Sequence, residues 1–199
     1  MKLSTKIIDQ SKCEVLLGTI LTQSKAEEIV CFENRIEHCK TILYATQSLG
    51  SNVVPVTPVT GTKLYWDVCV PKLCYGIEVM EVCNETMINV EQFHFGAAKH
   101  IQGLPSNRAN YGAIVTAGWM TLSAHFDAIR LLFLWRLLLL PMNCLYKRIL
   151  ICRLADIFYN PEKVFLGPTK MIVDIYKKYD LYFVLRNAVI NGKYLSLCI

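Results

Sequence analysis

Charge is scarce in this 199-residue chain: Asp, Glu, Lys and Arg make up 19% of it, against 53% hydrophobic residues. Such a composition excludes a disordered chain, which buries too little apolar surface to offset the entropy of ordering. Paired acids are missing. There is no Asp-Asp dipeptide, and Asp9, Asp67, Asp127, Asp156, Asp174 and Asp180 are scattered one to an element. Two-metal phosphoryl transfer needs carboxylates that clamp two cations about 3.5–4 Å apart, so no polymerase centre is expected. The Gly-x-Ser-x-Gly elbow of acyl-transfer enzymes and the glycine loops that cradle phosphates are absent as well. The chain is expected not to be an enzyme.

A secretory leader is lacking too, since Met1-Lys-Leu-Ser-Thr-Lys6 leads into no apolar stretch of the required kind. Cysteine, by contrast, is plentiful, at nine. The odd count and the apolar settings of most of them predict buried thiols in a reducing, intracellular compartment, cytoplasmic or nuclear, not a disulfide framework. Two groupings come nearest to a metal site: Cys69, Cys74 and Cys83 with His94 and His100, and Cys31, His38 and Cys39. Cys69 and Cys74 barely meet the close spacing that structural zinc uses, and Pro71 lies between them. Core packing is expected for both groups, with no metal and no other cofactor.

Leu131 to Pro141 is the most apolar part of the chain. Crossing a bilayer takes roughly 20 mostly apolar residues. Arg136 interrupts the run, Arg130 precedes it and Pro141 ends it. Each arginine at mid-membrane costs ~2.5–3.5 kcal/mol on insertion scales. A buried core helix is therefore expected over a membrane segment.

The apolar pattern places the remaining elements. Residues 13–22 are short, apolar and β-branched, which predicts a strand, with Gly18 at a bulge and Lys6 to Asp9 as a hairpin partner. Ser24-Lys-Ala-Glu27 fits a capping box. Beyond it, Ile29, Phe32, Ile36, Cys39 and Leu43 form one stripe of a helix that Gly50 ends. Pro55 and Pro58 predict a loop over 51–61, followed by a helix from Thr62 that Pro71 kinks and Gly76 weakens. Asn84 is placed to cap a helix with Met87, Val90, His94, Ala97 and Ile101 on one face, stopped by Gly103, Leu104 and Pro105. Further helices are predicted after Asn107 to Gly118, from Thr121 to Leu140, Cys144 to Tyr159, Pro168 to Tyr179 and Leu181 to Ile190. The fold class is mainly α: a short N-terminal β-hairpin followed by a bundle of seven or eight helices.

The net charge of +5 is unevenly placed, and residues 126–199 hold eleven Lys/Arg against five Asp/Glu. Earlier in the chain, Arg35, Lys40, Lys63 and Lys72 flank two helices beside Tyr65, Trp66 and Tyr75. Cations beside aromatics can hold a phosphate backbone and stack on bases. The same residues also fit solvated cations above an aromatic core. Tyr146-Lys-Arg148 with Arg153 allows both readings.

Taken in order, these segments resemble the region that follows the catalytic palm in reverse transcriptases of LINE-type (non-LTR) retrotransposons. Val15-Leu-Leu-Gly-Thr-Ile20 is similar to the strand that closes the palm, with Leu16 where the family has an aromatic. Arg35-Ile-x-x-Cys-Lys40 looks like the first thumb helix. Leu64-Tyr65, Pro71, Leu73, Tyr75-Gly76 and Glu78 look like the most recognisable thumb motif. Gly118-Trp119 and Gly167-Pro168 stand where such sequences carry them. The resemblance runs from about residue 13 to residue 193.

It implies a residual palm-like hairpin over 1–23, a thumb-like helical region over 24–104 and a C-terminal helical connection region over 105–199. Such a thumb grips the backbone of a template–primer duplex, which would make Arg35, Lys40, Lys63 and Lys72 its phosphate contacts. Fingers and palm are missing, so the resemblance implies a non-catalytic fragment of an RNA-directed DNA polymerase. Weak, sequence-independent nucleic-acid binding is the most it would retain. A polymerase palm or another protein would cover its apolar surface. The alternatives are a helical protein-interaction module, or a membrane-associated protein using residues 128–146.

Overall fold

The computed structural model describes residues 13–16, 19–22, 25–50, 57–160, 162–165 and 167–190, and these are mainly helical. The chain divides into two compact units, one of residues 1–75 with 83–106, the other of 76–82 with 107–199. The segment 76–82, expected within the thumb-like region, thus goes with the second unit.

In the first unit, β1 (Cys13–Leu16) and β2 (Thr19–Thr22) pair antiparallel, with Cys13 opposite Thr22 and Leu16 opposite Thr19. Residues 13–22 therefore do not run as one strand. Lys6 to Asp9, expected as the hairpin partner, and Ser24 of the capping box lie outside the described residues. Helix α1 (Lys25–Gly50) buries Phe32, Ile36, Cys39 and Leu43, the expected stripe, with Ile29 half-buried at its start.

The next helix begins at Pro58, not Thr62, so α2 (Pro58–Leu64) takes in part of the expected loop. Thr57 caps it, its side chain accepting from the Thr60 amide. Pro58 sits in the first turn, where a missing N–H costs nothing. Gly61 is tolerated mid-helix because Ile101 crosses there: a Cβ would meet its Cγ2 at 3.0 Å. The helical path then widens into a π-turn (Tyr65–Cys69) before α3 (Val70–Cys74). In that turn the Val70 amide reaches back to the Tyr65 carbonyl. The wider bonding accommodates Pro71, which has no N–H to give. Gly76, at φ 76°, follows the end of α3.

Helix α4 (Asn84–Ile101) closes the unit by packing on α1 and α2. Its cap is Cys83, not Asn84: the Cys83 sulfur accepts from the Thr86 amide, and the buried Glu28 carboxylate of α1 accepts from the Cys83 amide at 2.9 Å. Val90, His94 and Ala97 are buried, while Met87 and Ile101 are half-buried. Gly103, at φ 65°, turns the chain away.

The second unit holds α5 (Asn110–Ala117), α6 (Leu122–Leu139), α7 (Leu145–Tyr159), α8 (Pro168–Lys178) and α9 (Tyr182–Ile190). Its core gathers Leu134, Leu150, Leu154, Ile157, Phe158, Ile172, Val173, Leu185 and Val189. The two glycines of the quoted motifs have backbone roles. Gly118 ends α5 in a left-handed cap at φ 71°, and Gly167, at φ 94°, precedes Pro168 in the first turn of α8. Among the described residues no helix is long and apolar enough to cross a membrane. Helix α6 instead buries Leu122, Phe126, Asp127, Arg130 and Leu134 along one side.

Asp127 is buried and takes the Lys178 ammonium at 2.6 Å and the Tyr179 hydroxyl at 3.1 Å. The hydrogen bond to Asp127 raises the Lys178 pKa above its ordinary 10.5. A raised folded-state lysine pKa contributes stability that is fully present below 10.5 and is lost as pH rises through the folded value. The ammonium is half exposed, so solvent screens the effect. In thermal melts, the stability gap between the parent and Asp127→Asn is expected to hold from neutral pH up to 10.5 and to narrow above it.

Candidate nucleic-acid interface

The four cations expected to hold phosphate fare differently. Lys63 is exposed on α2. Lys40 is partly exposed on α1 and pairs with Glu37 at 2.6 Å. Lys72 is half-buried on α3, and its charge acts on the sulfur atoms of Cys39 and Cys69. Arg35 is buried, and its guanidinium donates to the Leu73 carbonyl at 3.3 Å and the Tyr75 carbonyl at 2.9 Å while lying over the Phe32 ring. Arg35 therefore ties α1 to the end of α3. Its charge is directed inward, at carbonyls that the helix end leaves open.

The aromatics divide in the same way. Tyr75 is exposed and Trp66 half-buried, so both keep a face near solvent. Tyr65 is fully buried and shares a 2.7 Å hydrogen bond with Nδ1 of the equally buried His94. Trp66 meets the Tyr65 and His94 rings edge-on. Burial pushes the Tyr65 phenol well above its ordinary range, so it stays neutral and serves the core.

Beneath Lys72 lies a pair of buried thiols. The Cys39 sulfur approaches the Cys69 carbonyl at 3.7 Å, and the Cys69 sulfur the Cys39 carbonyl at 3.9 Å. Their mutual hydrogen bond pushes the Cys39 thiol up and the Cys69 thiol down, and Lys72 lowers both. This contact joins α1 to the π-turn from within. Among the described residues no group of three His, Cys, Asp or Glu side chains is placed to hold a metal ion.

Lys40, Lys63, Lys72, Trp66 and Tyr75 remain as the members of the set that are not fully buried. Glu37 already neutralises part of it, and Asp67 is exposed on the π-turn. An interface of this kind can hold phosphate oxygens through point charges. It offers no bidentate fork for reading base edges once Arg35 is committed inside. No protein-family model, curated protein or solved structure matches the chain.

Proposed function

We propose that this chain is a non-catalytic helical module of the post-palm reverse-transcriptase kind, holding nucleic-acid backbone weakly through Lys40, Lys63 and Lys72. One observation carries the reading. The two stretches that bear most of the resemblance are bound to each other where their quoted motifs lie, by Arg35 donating to the Leu73 and Tyr75 carbonyls. Motif residues that hold helices together are what a shared architecture requires. The lysines left outside are what a backbone grip requires.

Three lysines partly offset by acids make a shallow electrostatic well. Affinity is therefore low and steeply dependent on salt. The experiment is fluorescence anisotropy of a labelled RNA–DNA hybrid titrated with the full chain at several salt concentrations. The expected outcome is binding at low salt that disappears near physiological ionic strength and is indifferent to sequence. Absence of binding at low salt would favour the protein-interaction reading, which the exposed Tyr111 and Val115 of α5 support.

A further inference from the structure

The turn between α6 and α7 places its apolar side chains outward. Leu139, Met142, Leu145 and Tyr146 are 53%, 57%, 63% and 69% exposed, and Pro141 is exposed between them. An apolar turn in water is a liability unless something covers it. Part of the backbone of this turn is bonded within the turn. The Leu140 amide donates to Leu137, the Cys144 amide to Pro141 and the Arg148 amide to Cys144. The Leu140 carbonyl accepts the Lys147 ammonium at 2.8 Å, and Lys147 is buried to 2% exposure to do so. Each such bond lowers the cost of bringing the turn to a low-dielectric medium.

Charge decides the nature of that medium. From Ala128 to Ala155 the chain contains no Asp or Glu. Of its five cations there, Arg130 and Lys147 are buried on backbone carbonyls. The other three, Arg136, Arg148 and Arg153, are exposed, and none forms an ion pair among the described residues. Arg136 lies in the last turn of α6, and Arg148 and Arg153 follow along α7. Apolar side chains therefore sit at the tip, with unpaired cations set back behind them.

We infer that the α6–α7 turn docks on an anionic lipid surface, its apolar tip entering the acyl boundary and Arg136, Arg148 and Arg153 meeting the headgroups. This is peripheral docking, a different arrangement from a spanning helix. A nucleic-acid backbone would use the arginines but leave the tip uncovered. The tip and its cations share no residue with the lysine set of the first unit, so the two readings stand or fall separately.

The test is co-sedimentation of the full chain with vesicles of phosphatidylserine and phosphatidylcholine, against vesicles of phosphatidylcholine alone. The parent is expected to prefer the anionic vesicles. The double variant Met142→Glu, Leu145→Glu is expected to lose about a hundredfold in partitioning on both. Replacing the three arginines by glutamine is expected to lose about a hundredfold on anionic vesicles and little on neutral ones. The variant lacking Lys40, Lys63 and Lys72 is expected to bind vesicles like the parent. Hydrogen exchange of the parent on vesicles gives a readout independent of any substitution, with new protection confined to residues 136–153. The proposal is overturned if the parent ignores vesicles, or if the tip variant binds as well as the parent. It is equally overturned if protection appears elsewhere, or if the tip substitutions abolish self-association or duplex binding in a parent without lipid affinity.

Discussion

Replacing Arg130 by methionine is expected to destabilise the second unit by ~2–4 kcal/mol. Arg130 is buried on α6, its Nε donating to the Ile77 carbonyl at 3.1 Å and a terminal nitrogen donating to the Met80 carbonyl at 3.0 Å. It thereby fixes segment 76–82 to α6. Two effects oppose each other. Burial makes the charge costly and pushes its pKa below the ordinary arginine range, a shift that Asp127 and Glu81 partly counter. Methionine removes that cost and fills much of the same space. It also removes the Arg130 donors from two buried carbonyls, and each lost buried bond costs ~1–3 kcal/mol. The lost bonds win, because removing one partner of a buried contact is worse than removing both. Lysine, with a single ammonium in place of a two-pronged donor, is expected to recover about half of the loss. Urea unfolding gives the size. Hydrogen exchange gives the place, with faster exchange over 76–82 and α6 and little change in α1 and α4. Uniform acceleration across both units would contradict this assignment.

Truncating Tyr65 to alanine is expected to cost the first unit ~3–5 kcal/mol, close to the whole stability of many small domains. The ring is fully buried, sits in the π-turn and touches the Phe93 and His94 rings. Tyr65→Phe separates packing from hydrogen bonding. It keeps the ring, withdraws one buried hydrogen bond from His94, and is expected to cost ~1–3 kcal/mol. Circular dichroism melts of both variants measure the difference. If Tyr65→Phe matched the parent, the 2.7 Å contact with His94 would carry no weight in the fold.

The parts of this architecture that follow a local period were legible in the sequence. The α1 stripe from Ile29 to Leu43 is an example, because core-facing residues on a helix must recur every three or four positions. The helix ends at Gly118 and Pro168 were legible for the same local reason: each residue has a backbone preference that suits one position. Pro58 and Gly61 misled for a related reason. As composition they mark a loop, but at the first turn and under Ile101 they belong inside a helix. The Cys83 cap displaced Asn84 because Glu28, far away in sequence, holds the Cys83 amide.

The candidate site was less legible, and the reason is separation in sequence. Arg35 has the chemistry of a phosphate ligand, and nothing within its own helix predicts that carbonyls 38 and 40 residues away will accept its hydrogen bonds. Lys147 likewise looked like one more cation in a basic cluster, yet it is buried to hold the Leu140 carbonyl. Composition counts charges, whereas only the packed chain shows which of them still face outward. Of the four expected phosphate contacts, Arg35 is buried, while Lys40, Lys63 and Lys72 are not.

The most direct test of the proposed grip compares the salt dependence of duplex binding in the parent and in Lys40→Gln, Lys63→Gln, Lys72→Gln combined. If these lysines neutralise phosphates, the slope of log affinity against log salt becomes shallower by about 2–3 in the variant. Arg35→Lys, which alters only an inward contact, should leave that slope where it was. An unchanged slope in the triple variant, or a parent that does not bind the duplex at all, would contradict the account.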